Sequence, residues 1–222
     1  MHPPGLQDSA ARRAFIRANT TARAPPQCPE ITLHLADDAL ELWRLGEEEM
    51  GAIGLPPPFW AFAWAGGQAL ARYVLDNPHV VRGRPVIDFA AGSGMVAIAA
   101  MKAGAACAWA TDIDLFAIDA IGLNASLNGI VVDPQARDII GQDCPPGAII
   151  LAGDICYEQA SARAVTDWLA AQHKAGSTVL IGDPGRTYLA KDRLVPIAEY
   201  QTPVMASLED SEVKRTNVWR FR

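Results

Sequence analysis

Two short stretches of this sequence combine carboxylates with small residues in a way that could do chemistry. The first runs Asp88-Phe-Ala-Ala-Gly-Ser-Gly-Met-Val-Ala and places Gly92 and Gly94 after the apolar segment 86–90 (VIDFA). Glycines in such a turn permit close approach of backbone to a ligand. A helix opening at 94 would present unpaired N–H groups and the positive end of its dipole. Asp112 lies 18 residues beyond Gly94, at the end of 106–111 (ACAWAT). A carboxylate at a strand tip can accept both hydroxyls of a ribose. Asp114 reads as the cap of the next helix. The GxGxxA spacing alone fits NAD, S-adenosylmethionine (SAM) or a turn without ligand.

The second stretch is Gly153-Asp154-Ile-Cys-Tyr157-Glu158, again after an apolar run (148–154, AIILAGD). A further polar turn, Asp183-Pro184-Gly185-Arg186, follows 177–182 (STVLIG). Arg186 reads either as a substrate contact or as a loop anchor.

The elements that must position these residues alternate. Helices are expected over 67–75, 94–103, 115–127 and 158–173. Strands are expected over 86–90, 106–111, 136–140 (ARDII), 148–154 and 177–182. Strands alternating with helices build βαβ units and a parallel sheet covered on both faces. Two last strands, near 203–207 and at 216–221, flank a polar loop and suggest an antiparallel hairpin. The expected fold is α/β: a Rossmann-like, doubly wound, mostly parallel seven-stranded sheet with an antiparallel C-terminal hairpin. Prolines 56–58 mark a boundary. Residues 1–58 are read as an N-terminal extension packing on the core, and 59–222 as the catalytic domain. Within the extension, 8–19 suggests a helix, 32–35 a strand and 39–45 an apolar element.

Composition narrows the classes. Of 222 residues, half are hydrophobic and a fifth charged, which excludes wholesale disorder. The net charge of −6 argues against a general nucleic-acid binder. Asp88 and Lys102 interrupt the greasiest stretch, 86–110, so no membrane span is expected. Residues 9–24 are Arg-rich and acid-free, a pattern shared with mitochondrial presequences, but are read as an ordinary amphipathic helix. No secretory signal is expected. The four cysteines (28, 107, 144, 156) and four histidines lack metal-ligand spacing, so no metal is expected. Free thiols suit a reducing compartment, and the expected location is cytoplasmic.

The spacing Asp-x-Ala-x-Gly-x-Gly, starting at Asp88, resembles motif I of class I SAM-dependent methyltransferases, with Ala90 in place of the usual first glycine. The wider text resembles the electron transfer flavoprotein β-subunit lysine methyltransferases. The matching segments are PPFWAFAWAGGQALARYVLD (57–76), VIDFAAGSGMVAIAAMKAGA (86–105), TDID (111–114), LNASLNG (123–129), GDICYE (153–158), IGDPGRTYL (181–189) and the tail LEDSEVKRTNVWRF. Ala148 departs from the acidic residue expected at the opening of that strand.

The resemblance implies SAM as methyl donor and a lysine ε-amino group as acceptor. The acceptor would be borne by the electron transfer flavoprotein β subunit or, for bacterial members, a ribosomal stalk protein. It implies a catalytic pair, Asp154 and Tyr157. It implies a cofactor set of Trp64, Gly67, Asp88, Ala90, Gly92, Gly94, Asp112, Ile113 and Asp138, the last at the adenine. Trp60, Phe62 and Trp64 could equally be core aromatics on a half-buried strand. A monomer without nucleic-acid or membrane partners is expected. Three alternatives stay open: a SAM-dependent methyltransferase of a small-molecule amine or another protein, an NAD-binding oxidoreductase, and a SAM-fold protein that acts by binding alone, against which Asp154 and Tyr157 argue.

Overall fold

The computed structural model describes residues 8–37, 42, 57–204 and 212–222. Its centre is a seven-stranded sheet of β3 (Pro85–Phe89), β4 (Cys107–Asp112), β5 (Asp133–Ala136), β6 (Ile149–Gly153), β7 (Thr178–Asp183), β8 (Leu194–Pro203) and β9 (Val213–Phe221). The spatial order is β5-β4-β3-β6-β7-β9-β8. The first five pair in parallel, and β9 runs antiparallel to both β7 and β8. A separate two-stranded ribbon joins β1 (Thr21–Arg23) to β2 (Leu33–Leu35).

Period-two burial sorts the strand residues between two cores. Val86, Ile149, Leu151 and Leu180 pack on one face with Leu70, Ile98 and Ile121. Their neighbours Ile87, Ile150 and Ile181 pack on the other with Trp168 and Leu169. The first face carries α2 (Ala65–Asp76), α3 (Met95–Lys102) and α4 (Leu115–Leu127); the second carries α5 (Gln159–Lys174). The predicted fold class therefore holds, with helices unevenly shared between the faces.

Helix α1 (Ser9–Ala18) belongs to the fold. Its Arg12 reaches the buried Asp119 of α4 at 2.6 Å, and Arg13 reaches the same carboxylate at 3.0 Å. These arginines are bound into an interface, as an amphipathic helix would have them. The ribbon is pinned as well: Thr32 N–H donates to Asn128 Oδ1, and His34 N–H to Asn124 Oδ1. The expected apolar element at 39–45 lies, apart from buried Leu42, outside the described residues.

Two strand expectations require correction. The edge strand is 133–136 (DPQA), and 136–140 is a strand only at Ala136. Pro134 is tolerated because an edge strand has one unpaired side. The strand placed near 203–207 instead occupies Leu194–Pro203, with a register shift between Pro196 and Ala198. Residues 205–207 lie outside the described residues. Residues 59–61 form a 3-10 turn, where a half-buried strand was one expectation.

Candidate active site

The chain proceeds from β3 outward to β4 and β5, then returns to place β6 on the other side of β3. The strand order reverses between β3 and β6, and ligands of open α/β sheets bind at the carboxyl end of such a switch point. The loop after β3 carries the glycines, and the residue after β6 is Asp154. The two stretches singled out by sequence are therefore neighbours.

On the β3 side, Gly92 and Gly94 adopt φ of +52° and +76°, and Ala90 one of +51°. That left-handed value explains why glycine is the usual residue at position 90; alanine tolerates it at a cost of about 1–2 kcal/mol. Gly92 N–H donates to Asp112 Oδ2 at 2.9 Å, and Asp114 N–H to Asp112 Oδ1 at 3.0 Å. Burial pushes the Asp112 carboxyl above its usual range, and these N–H groups partly offset it. Asp88 lies behind the loop, 1% exposed, and accepts from Ala97 N–H at 2.8 Å. Burial raises its carboxyl well above the usual range. Asp88 thus anchors the first turn of α3 and shapes the loop from behind. Asn124, fully buried, donates to Ser93 O at 2.8 Å and holds the loop from α4. Asp114 accepts from Phe116 N–H at 2.8 Å, the expected cap.

The remaining residues of the expected cofactor set extend along the same sheet edge. Ile113 follows the tip of β4 and is 78% exposed, an apolar side chain open at the sheet's carboxyl end. Asp138 lies two residues past β5, exposed, its Oδ1 accepting from Ile140 N–H. The site fits SAM on its own geometry. The Asp112 carboxylate lies beside the glycine loop at the tip of β4, and a Cβ added at Gly92 would meet nothing nearer than Trp60 Cα at 3.8 Å.

On the β6 side, Asp154 takes φ +55° and is 8% exposed. Its Oδ2 accepts from Gly67 N–H at 2.9 Å. Its Oδ1 accepts from Arg186 Nε at 3.0 Å and Nη2 at 2.7 Å. The side chain therefore caps α2 from a distance, and α5 has no side-chain cap. This contact exists because the start of α2 lies directly on the strand ends. A Cβ on Gly66 would sit 2.2 Å from Gly182 O, and one on Gly153 would sit 2.9 Å from Gly67 Cα. Only glycines allow that approach.

Asp183, fully buried at the end of β7, accepts from Gly185 N–H at 2.6 Å and Arg186 N–H at 2.7 Å through Oδ1. Its Oδ2 is buried without a hydrogen-bond partner. Burial is the main reason its carboxyl is pushed up to about 6, with the Asp154 charge adding to it.

Aromatic rings form the rim. Tyr157 is 56% exposed and stands 5.7 Å, centroid to centroid, from Phe59. Its hydroxyl is raised above the usual range by burial, then by Glu158 and Asp112. Trp64 Nε1–H donates to Phe59 O, and the Arg186 guanidinium carbon lies 5.9 Å from the Trp64 ring centre. Trp60 and Phe62 are buried at 2% and 3%, with Trp60 stacked on Phe116: these two are core aromatics. Phe59 and Asp183 were absent from the predicted site. Both lay inside segments that resembled the family, 57–76 and 181–189, and only geometry shows what they touch.

Comparison with known proteins agrees with this arrangement. The family described as Ribosomal protein L11 methyltransferase (PrmA) matches residues 68–146. The electron transfer flavoprotein beta subunit lysine methyltransferase of Xenopus laevis is 38% identical, over 98% of this chain and 90% of its own length. The human protein of that name is 35% identical, over 95% of this chain and 82% of its own length. The crystal structure of TrmN from Thermus thermophilus shares the fold, with a TM-score of 0.51 at 17% identity, covering 68% of this chain and 48% of that one. Near-complete coverage at this identity, on a fold whose switch point unites the glycine loop with Asp154, leaves one conclusion. The chain belongs to the electron transfer flavoprotein β-subunit lysine methyltransferase family.

Proposed function

We propose that the protein methylates lysine ε-amino groups of the electron transfer flavoprotein β subunit, with SAM as methyl donor. The observation that carries this reading is the likeness over 98% of the chain to relatives named for that acceptor. Bound SAM supplies a methyl group already activated on a sulfonium.

The chain's own residues must hold and align the acceptor. A free lysine with pKa of about 10.4 is neutral roughly once in a thousand near pH 7.4, a cost of about 4 kcal/mol. Burial of the amine lowers that cost, because desolvation disfavours the charged form. Asp154 marks the inner end of the acceptor channel and orients the amine. Tyr157, on the rim with Phe59, walls the channel and aims the nitrogen lone pair. Alignment of this kind supplies several kcal/mol of the barrier reduction. Asp112 holds the ribose, Ile113 and Asp138 flank the adenine, and Gly67, Gly92 and Gly94 give backbone access. We place the reaction in the cytoplasm and assign it to a monomer. The buried free thiols of Cys28 and Cys156 suit a reducing compartment.

The test is a transfer assay with methyl-labelled SAM, purified β subunit and, separately, a cell extract. Label on β-subunit lysines is expected. Label confined to small molecules would reverse the assignment of the acceptor.

A further inference from the structure

Methyl transfer as read above assigns no task to the Gly-Asp-Pro-Gly-Arg turn, yet this turn delivers a cation to the carboxylate nearest the acceptor. We propose that Arg186 is a positioning residue for methyl transfer: by holding Asp154 in an ion pair, it lets the acceptor amine shed its proton to water beside that carboxylate. The proposal rests on the lysine-methylation reading.

The geometry is that of a built pair. Arg186 is fixed at both ends. Its main-chain N–H is held by Asp183 Oδ1, and its guanidinium donates twice to Asp154 Oδ1. Its side chain is 20% exposed and that of Asp154 9%, so solvent screens the pair weakly. The Trp64 ring stands 5.9 Å from the guanidinium carbon. An arginine is the suitable partner because it stays charged at any working pH and its planar fork fixes its direction.

The electrostatic consequence follows from what each charge does to an amine. An unpaired carboxylate stabilises ammonium, the form that cannot accept a methyl group. A carboxylate already neutralised by a guanidinium loses most of that preference while its position is kept. Among the described residues, the charged and polar groups facing Asp154 include Arg186 from the turn, Asp183 from β7, the Cys156 thiol from its own segment and the N–H of Gly67 at the start of α2. Lys191 stands behind the turn, its Nζ 3.4 Å from Gly185 O. Tyr157, under the influence of Glu158 and Asp112, lies on the rim. Without Arg186, Asp154 and Asp183 would lose the guanidinium charge that faces them both.

The experiment is the pH dependence of kcat and KM for wild type, Arg186→Gln and Arg186→Lys, with purified β subunit and SAM. Binding of S-adenosylhomocysteine by calorimetry checks that each variant is folded. In Arg186→Gln the ascending limb of kcat should move up by about one to two pH units. Turnover near neutral pH then falls about tenfold or more and recovers in alkaline buffer. Arg186→Lys keeps the charge and should keep the limb in place at reduced kcat. A uniform loss of kcat at every pH would overturn the proposal in favour of a purely structural arginine. A lower KM at unchanged kcat would overturn it too, because Arg186 would then compete with the acceptor. Should Arg186→Gln fail to fold, the Lys variant decides, and an upward shift of its limb would refute the idea. Absence of lysine methylation by the wild type at any pH would bring down the functional reading and this proposal with it.

Discussion

The backbones of Gly66 and Gly182 pass so close that a Cβ on Gly182 would lie 2.1 Å from Gly66 O. The obstacle on each side is main chain, which cannot swing away. Gly66→Ala or Gly182→Ala should therefore cost about 3 kcal/mol or more. Thermal unfolding should show a lowered Tm, and Asp154 would lose its hold on Gly67. An alanine variant of wild-type Tm would mean that the helix start can lift off the sheet freely.

Asp154→Ala should abolish methyl transfer while sparing the cofactor side of the site. It also leaves the Arg186 guanidinium and the Gly67 N–H without this partner, so a stability loss of about 3 kcal/mol accompanies it. Asp154→Asn preserves an acceptor oxygen and is the cleaner probe. Turnover at least a hundredfold below wild type, with unchanged S-adenosylhomocysteine affinity, is expected. Unchanged turnover in the Asn variant would remove the carboxylate from the acceptor site.

Asp112→Ala should weaken S-adenosylhomocysteine binding about 10- to 100-fold, the worth of hydrogen bonds to a charged group. The variant also frees Gly92 N–H, loosening the loop. Calorimetric titration measures it, and wild-type affinity would displace the ribose from this position.

Tyr157→Phe retains the ring that meets Phe59 and should keep turnover within a few-fold of wild type. Tyr157→Ala opens the channel wall and should lose about tenfold or more in kcat. Equal losses in both variants would instead assign the work to the hydroxyl.

Asp183 gives a pH signature in stability. Its carboxyl is raised to about 6 in the folded protein, against 3.8 as its ordinary value. The folded state therefore holds a proton that the unfolded state has lost between these values. Its contribution to stability falls as pH rises from about 4 to about 6 and levels off above, by up to roughly 3 kcal/mol. Urea unfolding of wild type and Asp183→Asn at pH 4 and 7 should show this slope in the wild type only. Parallel curves would show that Asp183 ionises normally.

What the sequence made legible followed from local physics. Helix α4 was bounded correctly, because Asp114 caps its start and Asn128-Gly129 closes it. The buried strands β3, β6 and β7 were found because continuous apolar runs need two covered faces. The edge was misread for the converse reason. Strand β5 is polar and contains a proline, so the apolar 139–140 drew the assignment away from it. In β8, Pro196 beside a register shift masked a ten-residue strand. Motif spacing and the resemblance singled out the two loops that the fold brings together, but not the contacts their residues make. Nothing in the text says that Asp88 faces α3, or that Asp154 reaches back 87 positions to Gly67. Long-range contacts are set by topology.

Gly67 ties the two halves of the site together. Its N–H holds Asp154, and a Cβ there would press on Met95 Cε at 3.1 Å, at the start of the helix that follows the glycine loop. An alanine at 67 would need that methionine tip to give by a few tenths of an ångström, whereas one at 66 or 182 would meet main chain. The floor of the site is thus held by main chain against main chain, whereas Phe59, Tyr157 and Tyr188 are each more than a third exposed. A descendant that acquires a new protein acceptor would do so by rewriting that rim, inheriting the floor unaltered.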